Sequence, residues 1–209
     1  MQSKNIIFQK FGKKIKNKSK IKKVLNFYSK KKLIKSFSNK YSYSFHKSEI
    51  SKYKHFKHYT IIGMGGSSLG TEAIYNFLKF KIKKKFIFKN NLVAHEYKLK
   101  KQFQKKNLNI IISKSGNTLE TITNFNSIDD KNRNLFICEK SNNYLRILAN
   151  KLKSEIIEHK NYIGGRYSVF SETGMLPAIL MGLNEKKFKN FNQLIKNKNF
   201  VNSLIENVL

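Results

Sequence analysis

An α/β fold built on a parallel β-sheet with helices on both faces is what this sequence predicts, and three observations predict it. Short β-rich apolar runs recur between residues 59 and 158. Helical patterns separate them, the signature of βαβ units, whose parallel strands are joined by right-handed crossovers. Two of the strand-to-helix turns concentrate glycine and hydroxyl residues.

The elements follow in order. Residues 1–50 form a lysine- and serine-rich arm in which Ile21, Val24, Leu25 and Tyr28 have helical spacing, so one amphipathic helix is expected near 20–35. Tyr59–Ile62 reads as the first strand, and Thr71–Lys79 as a helix with Ile74, Phe77 and Leu78 on one face. Lys85–Phe88 is the second strand, with a helix near Tyr97–Lys106 after it. Asn109–Ile112 is the third strand, followed by a helix that uses Ile122 and Phe125. Asn134–Cys138 is the fourth; Ser141 or Asn142 is expected to cap a helix that turns Leu145, Leu148, Ala149 and Leu152 inward. Glu155–Glu158 is a short fifth strand. Ser171–Met181 reads as an apolar helix in which Pro177 fits near the beginning or at a kink. Beyond it, Phe188, Phe191, Leu194, Ile195, Val201, Leu204, Ile205 and Val208 suggest one or two terminal helices. The expected division is an arm over 1–50, an α/β domain over 51–185 and a helical segment over 186–209.

A chain of 209 residues can bury one sizeable core. The net charge of +31 comes from 43 Lys and Arg against 12 Asp and Glu. Such an excess attracts any polyanion through counterion release. Recognition of bases favours arginine, however, and the arginines are Arg133, Arg146 and Arg166 alone, so specific nucleic-acid binding is not expected. One cysteine, Cys138, rules out an intramolecular disulfide and reads as a buried small hydrophobe. No stretch approaches the roughly 18 apolar residues of a membrane span, and the N-terminus lacks a signal-peptide core, so a cytoplasmic protein is the default expectation.

The first turn is Gly63-Met64-Gly65-Gly66-Ser67-Ser68-Leu69-Gly70. Glycines let backbone approach a ligand, and the following helix start leaves amides unpaired for an anion. It lacks the lysine of a P-loop and the acidic partner of a dinucleotide fold. The second, Ser113-Lys114-Ser115-Gly116-Asn117-Thr118-Leu119-Glu120-Thr121, offers the several donors a phosphate monoester needs, from Ser113, Ser115, Thr118 and backbone amides, with Lys114 as charge and Glu120 at the helix start. If the first and third strands are sheet neighbours, both turns face one crevice at the topological switch point. A third segment, Gly164-Gly165-Arg166-Tyr167-Ser168-Val169-Phe170-Ser171-Glu172-Thr173-Gly174-Met175-Leu176-Pro177, could project a guanidinium into that crevice.

In order and spacing these three motifs resemble those of the glucose-6-phosphate isomerase family, over residues 55–185. The resemblance implies a flavodoxin-like three-layer α-β-α sugar-isomerase domain and a reversible aldose–ketose isomerisation of glucose 6-phosphate and fructose 6-phosphate through an enediolate, without metal or cofactor. It places substrate binding on Gly66, Ser67, Ser68, Ser113, Lys114, Ser115, Gly116, Asn117 and Thr118, with Asn117 where many members carry threonine. Arg166 falls on the arginine that stabilises the enediolate.

The family's glutamate base, ring-opening histidine and late lysine come from sequence beyond this region. His46, His55, His58, His95 and His159 match none of those roles and read as solvated or structural; Glu172 and Glu185 belong to no base motif of the family. The expectation is therefore the phosphate-binding half of an isomerase, incomplete for catalysis alone, with a homodimer or a complementary C-terminal chain as partner. The alternative is a non-catalytic phosphosugar-binding module.

Overall fold

The computed structural model describes residues 2–3, 6–7, 18–29, 31–38, 40–92, 107–128, 132–189 and 197–206. The chain divides into two compact units, 42–185 and 1–41 with 186–209. The second of these holds the short antiparallel pair β1 (Gln2–Ser3) and β2 (Ile6–Ile7), and helices α1 (Lys18–Ser29) and α2 (Lys32–Lys35). The single helix expected near 20–35 is thus two.

Unit 42–185 begins with α3 (Lys47–Ser51), entered through a capping box in which Glu49 accepts the His46 amide at 3.0 Å. Its sheet has five parallel strands: β3 (His58–Gly63), β4 (Lys85–Lys89), β5 (Asn107–Ile112), β6 (Arg133–Cys138) and β7 (Glu155–Glu158). The spatial order is β4-β3-β5-β6-β7. Between the strands run α4 (Leu69–Leu78), α5 (Leu119–Asn126) and α6 (Tyr144–Lys151), and α7 (Glu172–Leu180) follows β7. Helices α8 (Glu185–Phe188) and α9 (Lys198–Glu206) end the described chain. The helix expected over 97–106, together with Phe191, Leu194, Ile195, Val208 and His95, lies outside the described residues. Among the described residues no helix is long and apolar enough to cross a membrane.

Parallel strands buried on both faces must be apolar on both. Every residue of Asn107–Ile112 is buried, and Ile62, Ile111 and Phe136 stand abreast in register. With Phe125 of α5 and Leu145 and Ala149 of α6 they form the core of one face, which includes the wholly buried Cys138. The opposite face carries Tyr59 stacked on Phe86 at 4.6 Å, covered by Tyr75 of α4. The buried polar side chains of β3, β5 and β6 form a ladder: Asn107 donates to Thr60 at 2.8 Å and to Asn109 at 2.9 Å, and Asn109 donates to Asn134 at 2.9 Å. Each buried amide therefore has a partner, as burial requires.

Two local findings differ from expectation. The cap of α6 is Asn143, whose Oδ1 accepts the Arg146 amide at 3.0 Å, rather than Ser141 or Asn142. Asn143 alone stands three residues before that amide, the reach of a capping side chain. Pro177 sits inside α7, where its missing N–H orphans the Thr173 carbonyl four residues earlier. Thr71 Oγ1 of α4 donates to that carbonyl at 3.1 Å, so a neighbouring helix repairs the ladder.

Candidate functional site

The strand order reverses between β3 and β5, whose last residues, Gly63 and Ile112, are paired. The two turns therefore leave adjacent strands side by side, at the switch point where open α/β sheets bind ligands. At this point the strands approach so closely that a Cβ on Gly63 would lie 2.7 Å from the Ile112 carbonyl.

In the first turn Gly65 adopts φ +54° and opens a 3-10 turn, Gly65–Ser67, that leads into α4. Gly66 packs flat on the backbone of the third motif, and a Cβ there would meet the Gly165 carbonyl closer than 3.0 Å and the Arg166 amide nitrogen at 2.9 Å. Ser168 Oγ donates to the Gly66 carbonyl at 2.9 Å and seals the junction. The third motif is itself a 3-10 turn over Gly165–Phe170 that leaves Arg166 exposed. Gly66 and Ser67 are half-buried, whereas Ser68 is wholly buried with its hydroxyl unpartnered.

In the second turn Ser113 Oγ and Thr118 Oγ1 are 2.8 Å apart, and Ser113 Oγ also accepts the Gly116 amide at 3.1 Å. Ser115 Oγ accepts the Asn117 amide at 3.3 Å; Ser115 and Asn117 are exposed. Lys114 reaches sideways, donating to the Asn161 carbonyl at 2.7 Å and pairing with Glu139 at 3.3 Å, so it braces the turn against the ends of β6 and β7. Gly116, at φ +69°, lies against Asn143.

The helix starts show where an anion is accommodated. Neither α4 nor α5 has a side-chain cap, and among the described residues the amides of Leu69, Gly70 and Thr71, and of Leu119, Glu120 and Thr121, meet no acceptor. Two N-termini with positive partial charge thus flank the switch point. Helix α6 differs: Tyr144 N donates to Asn117 Oδ1 at 2.9 Å and Leu145 N to the Gly116 carbonyl at 3.0 Å, so its amides are filled by the second turn itself.

The titratable groups nearby are structural. His159 is 2% exposed at the end of β7. Burial holds its imidazole below the ordinary value, the Lys160 carbonyl that its Nδ1 meets at 3.1 Å opposing this. Glu172 is wholly buried and accepts the Ser44 amide at 2.9 Å and hydroxyl at 3.2 Å. Burial pushes the Cys138 thiol up, away from reactivity. Sequence reasoning overlooked Asn143, Glu139 and Asn161 as braces of the second turn; they lie 18 or more residues beyond it, and no local pattern marks them.

Residues 14–208 match the family model described as phosphoglucose isomerase. The chain is 36% identical over 155 residues to a glucose-6-phosphate isomerase of Methanocaldococcus jannaschii, covering 66% of this chain and 37% of that protein. It is 33% identical over 171 residues to a glucose-6-phosphate isomerase of Borreliella burgdorferi, covering 68% and 32%. The chain spans about a third of the length of these relatives. A hypothetical protein of Thermus thermophilus superposes with a TM-score of 0.68 at 17% identity, over 88% of this chain and 49% of that one. A tagatose-6-phosphate ketose/aldose isomerase of Escherichia coli does so with a TM-score of 0.53 at 13% identity, over 90% and 50%. At such identities the likeness is one of fold.

Proposed function

The chain belongs to the phosphoglucose isomerase family, and from that premise we propose that it binds glucose 6-phosphate and fructose 6-phosphate as the phosphate-holding part of an enzyme that interconverts them. The observation that carries this reading is the meeting of both turns at the β3–β5 switch point, with the Gly165–Arg166 backbone packed on Gly66.

The phosphate sits over the second turn. Ser113, Ser115 and Thr118 offer hydroxyls, the unfilled amides of Leu119, Glu120 and Thr121 offer N–H groups, and the α5 dipole favours the charge. Gly66 and Ser67 border the sugar. Exposed Arg166, held beside Gly66, places positive charge where the enediolate oxygen develops. Isomerisation also needs a carboxylate within hydrogen-bond reach of the carbon-bound proton. Buried Glu172 is committed to Ser44 and does not fill that role.

Titration calorimetry of the 209-residue chain with glucose 6-phosphate, beside a coupled assay for fructose 6-phosphate formation, tests the reading. Binding without appreciable turnover is expected, with turnover restored by a polypeptide carrying the remaining length of a relative. No sugar-phosphate binding would overturn the reading. Binding that no complementary polypeptide converts to turnover would reduce the chain to a binding module.

A further inference from the structure

The amides of α6 are satisfied in an unusual way, and on it a positioning role rests. A helix start leaves four N–H groups without intrahelical partners. In α6 the first two donate to the second turn, to Asn117 Oδ1 at 2.9 Å and to the Gly116 carbonyl at 3.0 Å. The third, Arg146 N, donates to Asn143 Oδ1 at 3.0 Å, and the regular helical bonds begin with Ile147 N to the Asn143 carbonyl at 3.2 Å.

Asn143 itself is 3% exposed. Its Nδ2 donates to the Ser141 carbonyl at 3.0 Å, the Ser141 hydroxyl at 3.2 Å and the Glu139 carbonyl at 3.2 Å. Its side chain fills the space that a Cβ on Gly116 would occupy. Glu139 in turn holds the second turn twice, its amide donating to the Lys114 carbonyl at 3.0 Å and its carboxylate pairing with the Lys114 ammonium.

We infer that Asn143 is a positioning residue for the phosphate-binding turn, closing with Asn117 a clasp that holds Gly116 and Asn117 against the start of α6. The inference rests on the sugar-phosphate reading above for its effect on binding, though not for its geometry. Asn117 Oδ1 is engaged inward by Tyr144, so this residue shapes the turn as well as bordering it. A threonine there has no side-chain oxygen at the same reach, which ties the asparagine at 117 to the Tyr144 amide it accepts.

The test separates capping from positioning. Serine caps helices about as well as asparagine, but leaves the space beside Gly116 empty and cannot reach the Glu139 carbonyl. In the full chain Asn143→Ser is expected to unfold within a few degrees of the parent, while its dissociation constant for glucose 6-phosphate rises about tenfold, the scale of one or two lost buried hydrogen bonds. Amide exchange at Tyr144 and Leu145 should accelerate with it. Unchanged affinity would overturn the inference, as would a loss of affinity explained entirely by unfolding. If the parent chain binds no sugar phosphate, the functional reading fails but exchange still decides the clasp: equal protection of Tyr144 and Leu145 in parent and variant overturns it. Should Asn143→Ser fail to fold, Asn117→Ala, on the exposed turn, removes the Tyr144 bond alone; unchanged Tyr144 exchange there is equally fatal.

Discussion

Gly66 and Gly165 face each other across the contact between the first turn and the third motif, and alanine at each should have opposite effects. A Cβ at Gly66 would enter the Gly165 carbonyl and stand 2.9 Å from the Arg166 nitrogen. Both obstacles are backbone, so no side chain can swing aside. Overpacking of a tight contact costs about 1–3 kcal/mol, and with backbone on the receiving side the upper end applies. A Cβ at Gly165 meets nothing within 4 Å. Its φ lies outside the left-handed region, so alanine there should be neutral or stabilise by about 0.4–1 kcal/mol through the unfolded chain. The pair should differ by about 3–4 kcal/mol, or roughly 6–16 °C in Tm at 2–4 °C per kcal/mol for a chain of this size. Thermal and urea unfolding of the two variants measures this directly. In a catalytically complete enzyme Gly66→Ala should also displace Arg166, and a misplacement of about 1 Å can lower turnover about 100-fold. Equal midpoints for the two variants would refute the packing of the third motif on the first turn.

Other consequences are as concrete. Replacing Ser113 and Thr118 together by alanine and valine should weaken glucose 6-phosphate binding about tenfold or more by calorimetry, whereas the Lys52→Ala, Lys54→Ala pair should leave it nearly unchanged; equal losses would show that bulk charge holds the ligand. Asn109→Leu leaves Asn134 Oδ1 without its donor inside the sheet and should cost about 1–3 kcal/mol in urea unfolding; an unchanged midpoint would count against the ladder. The imidazole of His159 lies below its ordinary 6.5 through burial. The unfolded chain then binds more protons as pH falls, so this contribution is present above pH 6.5 and is lost progressively below it. His159→Gln should flatten the decline of stability between pH 6.5 and 5, and an unaltered slope would remove His159 as its cause.

Much of the architecture is legible because parallel strands buried on both faces read as short, largely apolar β-rich runs. Tyr59–Ile62, Asn109–Ile112 and Asn134–Cys138 each lie within the strand observed. The two turns stand out for a related reason: positive φ at Gly65 and Gly116 demands glycine, and such residues are conspicuous against a lysine-rich background. That β3 and β5 are neighbours was conditional on the sequence, since strand pairing is a long-range choice that no local pattern encodes.

From its own residues, then, the chain specifies the alternation of strands and helices, the turn chemistry and, through three motifs in order, its family. The tertiary structure decides which groups are free to act. Lys114 has charge on paper, but Asn161 and Glu139 hold it sideways. The start of α6 is a ready anion site in isolation, yet Asn117 and Gly116 fill it, while the starts of α4 and α5 stay open. Pro177 reads as a helix breaker until Thr71 supplies the donor its carbonyl partner lacks. In each case the deciding partner lies 20 or more residues away, and a hydrogen bond of that span exists only once the sheet has brought the two segments together.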